Sequence, residues 1–383
     1  MGLFPYLLFL QNIIREDSDV GIILPELLSI SMRLTPAPLP PRALMLRSLC
    51  TILNTAESLE IGPKGPASRR LAYPSETDPL VRSATRQPGG EGWNKVVLMG
   101  HSYGTFVVGW IMRACVDVTL AEEERDPGLV LTNSREDAAE LNSKISSIVL
   151  VDPVPILIAH PSVCHNFLYQ RPSTVGPSSN MCVLPEGHPD LGSTKTKHWF
   201  SSATAWAFWY FASKDADISR TLFRSFFWTE GCLFREELTR FMEMGWKSQR
   251  AIHGTKGSNT AANADGAGSE TEGRETRKLA IFLGGRDQIV PAEPIRHYLT
   301  GEKTPSSKWS ATVDKFERSF DEGVLGLPSR ERTCWMSNRV RTQKEEEPLE
   351  VHFNPTFNHG TIFFTPRDVK PLVETVCRLV REG

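Results

Sequence analysis

The chain has 383 residues, enough for one large domain with insertions or for two small ones. Its 40% hydrophobic and 23% charged content is ordinary for a globular protein, and a net charge of -2 leaves no electrostatic footprint for a nucleic-acid partner. The seven cysteines are scattered and odd in number, with no C-x-x-C pair. That excludes a disulfide framework or a cysteine zinc site, points to reduced thiols and favours a cytoplasmic setting.

Leu7, Leu8, Leu10, Ile13 and Ile14 make one apolar face of a first helix. The apolar start Leu3 to Leu10 has no basic residue before it and no small-residue cleavage site after it. It is too short for a bilayer and reads as neither signal nor anchor. No other stretch has transmembrane character. Val20 to Leu24, closed by Pro25, reads as a short strand. The loop Glu26 to Thr35 should lie over the active-site end of the sheet. Thr35 to Pro41 is too proline-rich for regular structure, and Ala43 to Leu59 returns to helical spacing. Gly62 to Glu91, rich in Pro, Ser, Gly and Arg, reads as a mobile surface insertion.

Val96 to Met99 is a continuous apolar run, as in a strand buried on both faces. Phe106, Val107, Trp110 and Ile111 follow at helical spacing. Between them lies Gly100-His101-Ser102-Tyr103-Gly104, a G-x-S-x-G pattern. Its two glycines let the chain turn sharply and lift Ser102 to the positive end of the helix. Ala121 to Ser143 is charged and reads as exposed; Ile145 to Val151 is a second buried strand, ending in Asp152-Pro153.

From Val154 to about Trp246 aromatics crowd together, among them Phe200, Trp206, Phe208, Trp209, Tyr210, Phe211, Phe223, Phe226, Phe227 and Trp228. This reads as an inserted helical cap. Most of its rings should be core, some could line an apolar pocket, and exposed ones could touch a membrane surface. Thr255 to Thr276 is low in complexity and reads as disordered. Lys278 to Leu283 is a strand running into Gly284-Gly285-Arg286-Asp287. Pro291 to Leu299 reads as a helix, and Thr304 to Pro348 as a polar insertion whose charge run Lys344 to Glu347 is solvated. Leu349 to Phe353 is a last short strand before Asn358-His359-Gly360. Arg367 to Arg381 closes the chain as a helix with Val373, Val376, Leu379 and Val380 inward.

Strands alternating with helices imply a mostly parallel sheet, whose ligands sit beyond the carboxyl ends of the strands. Ser102, Asp287 and His359 each follow a strand. A serine needs a base to take its proton, and the base needs an acid to hold its tautomer. Asp152 is the alternative acid, and His352 the alternative base. Chain order favours Asp287, and a loop position beside Gly360 favours His359. His101 should pack against or orient the turn. His160, His165, His188 and His198 read as structural or exposed.

The strand-turn-helix carrying Ser102, with Asp287 and His359 in that order, resembles the serine hydrolases of the α/β-hydrolase superfamily. The likeness covers the chain apart from its polar insertions. It implies an esterase or lipase-like enzyme that cleaves an ester or related acyl bond of a small apolar or lipid-like substrate through an acyl-enzyme, with Ser102, Asp287 and His359 as catalytic triad. It implies no cofactor and no metal. The expected divisions are a core over 1–153, a cap over 154–250, a disordered insertion over 251–277 and the rest of the core over 278–383, with a polar insertion at 304–348.

The resemblance also implies two oxyanion donors. One is the N–H of Tyr103; the other follows a strand ending in His-Gly, which this sequence lacks before its first helix. That strand would lie between Val20–Leu24 and Val96–Met99, so its absence is expected to open a gap inside the sheet. The N-terminal strands then read as missing, as in a truncated product or gene model. A second function class follows, a non-catalytic scaffold on the same fold, with a lyase as a minor third.

Overall fold

A computed structural model describes residues 3–31, 39–58, 95–123, 133–168, 206, 209–210, 214–215, 218, 220–221, 231–247, 274–301, 310–312, 335–341 and 346–382. The expected insertion at 62–91 lies outside them, as do most of the cap aromatics, His188 and His198.

The N-terminal helix α1 is Leu7–Glu16 and the next, α2, is Arg42–Ser58. Strand β1, Val96–His101, runs through Ser102 and Tyr103 into α3, Gly104–Glu123. Then come α4, Asn133–Lys144, and β2, Ile145–Val151. The inserted segment contributes α5, Pro161–Leu168, and α6, Arg235–Glu243. Strands β3, Trp246–Lys247, and β4, Arg274–Glu275, pair antiparallel, so the end of the stretch expected to be disordered is held in a short ladder. Next are β5, Lys278–Gly284, and α7, Ala292–Thr300. The chain ends with β6, Ser310–Thr312, β7, Trp335–Arg341, β8, Glu346–Asn354, and α8, Pro366–Glu382.

The main sheet has the order β1-β2-β5-β8-β7-β6. The first four strands are mutually parallel; β7 and β6 add antiparallel on the far side. The chain is thus α/β, as expected. The expected polar insertion at 304–348 holds two sheet strands. Ser337, Asn338, Arg339 and Arg341 interrupt β7, so no apolar run marks it in the sequence.

The central strands are nearly continuous apolar runs because helices cover both faces. Every residue of β2 is buried. Ile148 and Leu150 point into one cluster with Leu279, Ile281 and Leu283, under α2, α3, α4, α6 and α7. Val149 and Val151 point the other way with Ala280 and Phe282, under α1 and α8. The segment expected to be exposed over 121–143 contributes α4, whose Ala138 and Leu141 are buried in the first cluster.

Val20 to Leu24 forms no ladder among the described residues. Val20 and Ile22 pack, partly buried, against the cluster under α1 and α8, Ile23 packs against the other, and Leu24 is exposed. β1 pairs only with β2 among the described residues and is the terminal strand. Among the described residues, then, no gap opens inside the sheet, and the side of β1 away from β2 carries no ladder.

Candidate active site

Parallel register aligns the strand ends. His101 is opposite Val151, Val151 opposite Phe282, and Phe282 opposite His352. The residues just past these ends, Ser102, Asp152, Asp287 and His359, therefore come out on one rim of the sheet.

Ser102 has a left-handed backbone, φ 52. Its N–H donates to Val151 O at 3.0 Å, which ties the turn to β2. Its carbonyl accepts from Thr105 N at 3.0 Å and from the Thr105 hydroxyl, which starts α3. A Cβ on Gly100 would lie 2.8 Å from Gly104 O and 2.9 Å from Thr105 Cα, so helix and strand approach too closely for any side chain there. Gly104 is different, since a Cβ there would meet nothing within 4 Å. Only the first of the two glycines is required by close approach.

His359 links the other two groups. Its Nε2 lies 2.7 Å from Ser102 Oγ, and its Nδ1 lies 2.7 Å from Asp287 Oδ2. The other oxygen of Asp287 accepts from Ile289 N at 2.7 Å and Val290 N at 2.9 Å, which fixes the carboxyl plane. An ionised carboxylate can only accept, so the ring proton sits on Nδ1 and Nε2 is left to accept from the Ser102 hydroxyl. Burial disfavours the charged ring, but the Asp287 charge and hydrogen bond, with Asp152 beyond, hold His359 above the ordinary imidazole range.

The alternatives are placed elsewhere. Asp152 does not occupy the acid position: it accepts from Gly284 N at 3.1 Å and from Gly360 N at 2.8 Å. His352 stacks flat on Phe282 at 4.3 Å, with Nε2 3.5 Å from Glu350. His101 is half-buried; its Nδ1 bonds the Tyr6 hydroxyl at 2.7 Å, and its ring lies 5.3 Å from that of His359. Burial, then the neighbouring His359, push His101 well below the usual range, so it is neutral, and its 3.9 Å approach to Asp152 is not an ion pair. His101 supports the turn, as expected. Tyr6 had no sequence signal, because its partner lies 95 residues away.

Tyr103 follows Ser102 at the N-terminal, positive end of α3. Its ring packs against the buried pair Phe106 and Ile218, as do Val154, Ile158 and Phe167. In the inserted segment Trp206 meets Trp209 edge-on at 5.5 Å, while Tyr210 is exposed. Arg113 on α3 donates to both Glu237 oxygens, at 2.7 and 3.0 Å, and ties α6 to the helix that follows Ser102.

Asp152, Asp287 and His359 offer donor atoms within 4.8 Å of one another. Each already has a protein partner, so the set is accounted for without a metal. No helix among the described residues is long and apolar enough to cross a membrane. No protein-family model, no curated protein and no solved structure matches the chain.

Proposed function

We propose that the chain is a serine hydrolase of the α/β-hydrolase type, cleaving an ester or related acyl bond of an apolar or lipid-like substrate. The observation that carries this reading is His359 held between Ser102 and Asp287 by two 2.7 Å contacts. Those contacts join three strand ends, on a turn whose serine has the strained backbone of a nucleophile elbow. Ser102 Oγ attacks the acyl carbon as His359 Nε2 takes its proton. Asp287 stays ionised and stabilises the imidazolium. The Tyr103 N–H, at the start of α3, donates to the oxyanion. His359 then protonates the leaving alkoxide, and a water activated by the same ring releases the acid.

One observation favours a second reading, a non-catalytic scaffold. β1 is the terminal strand among the described residues, so the strand that would precede a second oxyanion donor is not among them. Loss of one such donor costs on the order of 10²–10³ in rate. The experiment is fluorophosphonate labelling of the wild-type chain and of Ser102→Ala. Labelling that disappears in the variant supports the hydrolase; a folded wild-type chain that does not label supports the scaffold.

A further inference from the structure

We infer that Asp152 is a positioning residue, a buried carboxyl that clasps the turn bearing Asp287 to the turn bearing His359 and faces the His359 ring as a second acidic group. The kinetic part of this inference rests on the hydrolase reading; the structural part does not.

Asp152 follows β2, a fully buried parallel strand between β1 and β5, and its backbone is left-handed at φ 46. Its N–H donates to Phe282 O at 2.9 Å, which anchors the residue across the end of β5. From there each carboxyl oxygen reaches a different element. Oδ1 accepts from Gly284 N, three residues before Asp287. Oδ2 accepts from Gly360 N, immediately after His359. Gly360 is itself left-handed at φ 68, and a Cβ there would lie 3.3 Å from the His101 ring. Gly284 ends β5 opposite Asn354, and Gly285 N and Arg286 N donate to Asn354 O at 2.7 Å and Phe357 O at 2.8 Å, so the two turns already share a backbone tie. The carboxyl adds the side-chain bridge that reaches Gly360, the residue beside His359.

The groups facing Asp152 come from every neighbouring element. They are Asp287 after β5, His359 after β8, His101 at the end of β1 with Nε2 3.9 Å away, and Tyr6 behind His101. Burial, reinforced by the Asp287 charge, raises the Asp152 carboxyl to about 7; His359 and the two backbone donors act in the opposite direction. On the alkaline side of neutrality it is ionised, and its charge adds to that of Asp287 in favouring the imidazolium that forms as Ser102 gives up its proton. A carboxylate is the one side-chain group of this size that accepts on both oxygens. In asparagine, the amide N–H₂ would point at one of the two backbone donors.

The test is Asp152→Asn in the full chain, with histidine ring resonances followed by NMR across pH. The expected result is a folded variant in which the apparent pKa of His359 falls by about one unit, since a nearby opposite charge is worth that much. Hydrolysis of p-nitrophenyl butyrate should show kcat lower on the order of tenfold to a hundredfold with KM unchanged, as for a misplaced base. A folded variant whose His359 titrates like the wild type overturns the inference. Should the variant not fold, the wild-type chain suffices. The Gly284 and Gly360 amide resonances should move together with one shared midpoint as the solution goes from acid to alkaline. Separate or absent movement overturns the inference. Failure of the hydrolase reading looks different: a wild-type chain inert to fluorophosphonate, whatever His359 does.

Discussion

His359 Nε2 lies 2.7 Å from Ser102 Oγ although 257 residues separate them in the chain. The contact exists because β1 and β8 are parallel strands of one sheet, with β2 and β5 between them and their ends on the same rim. The first prediction concerns this pair. His359→Gln should retain the fold and slow fluorophosphonate labelling on the order of 10²–10⁴, the usual worth of a general base. Ser102→Ala should abolish labelling outright. Labelling of His359→Gln at the wild-type rate would mean that the ring does not activate the serine.

Proton linkage gives the second prediction. His359 must be neutral to accept the serine proton, and the Asp287 and Asp152 charges outweigh burial and raise it above the ordinary 6.5. Activity toward p-nitrophenyl butyrate should therefore rise with pH, with the acid-limb midpoint of kcat/KM above that value. Stability moves oppositely. A raised imidazole contributes stability that is fully present below its unfolded pKa and is lost as pH rises through the folded value. A midpoint below the ordinary value would show that the ring is not paired to an ionised Asp287.

The same electrostatic arrangement separates what was legible in the residues from what was not. The runs Ile145–Val151 and Leu279–Leu283 were legible as strands, since burial on both faces suits seven and five apolar or small residues in a row. Ser102, Asp287 and His359 were legible because each is a chemically distinctive side chain just past such a run. The clasp by Asp152 was not. Its partners are the N–H groups of Gly284 and Gly360, and a backbone donor carries no residue identity. Val20–Leu24 misled for the converse reason. A short apolar run reports that side chains pack, and here partial burial against two clusters occurs without a ladder. β7 stayed hidden because Ser337, Asn338, Arg339 and Arg341 leave no apolar run of the kind that exposed β2 and β5.

The two glycines of the elbow should behave unequally. In Gly100→Ala the new Cβ would press on the Gly104 carbonyl and Thr105 Cα, which are backbone and cannot swing aside. A cost of about 1–3 kcal/mol is expected, as for overpacking, with labelling of Ser102 lost or slowed because the turn must open. Gly104→Ala meets open space and should change stability by no more than about 0.5 kcal/mol. Urea unfolding of both variants checks the contrast. Equal effects would mean that the strand-to-helix approach at Gly100 is looser than 2.8 Å implies.

Tyr6 should matter more to stability than to chemistry. Burial, with the Asp152 charge behind it, raises its hydroxyl to about 12, so it stays protonated at neutral pH and can donate to His101 Nδ1. The Asp152 oxygen 3.9 Å from Nε2 favours the ring proton on that side, which leaves Nδ1 as the acceptor. Tyr6→Phe keeps the edge-on packing against Phe363 at 5.0 Å but strands Nδ1 in a buried site. Leaving a buried acceptor unpaired costs about 1–3 kcal/mol. The expected result is a lower urea midpoint at an unchanged m-value, with Ser102 labelling slowed much less than in His359→Gln, because His101 supports the turn without touching the serine proton. A variant as stable as the wild type would show that the Tyr6 hydroxyl does not hold His101. A variant as slow to label as His359→Gln would instead place the Tyr6–His101 pair in the proton path.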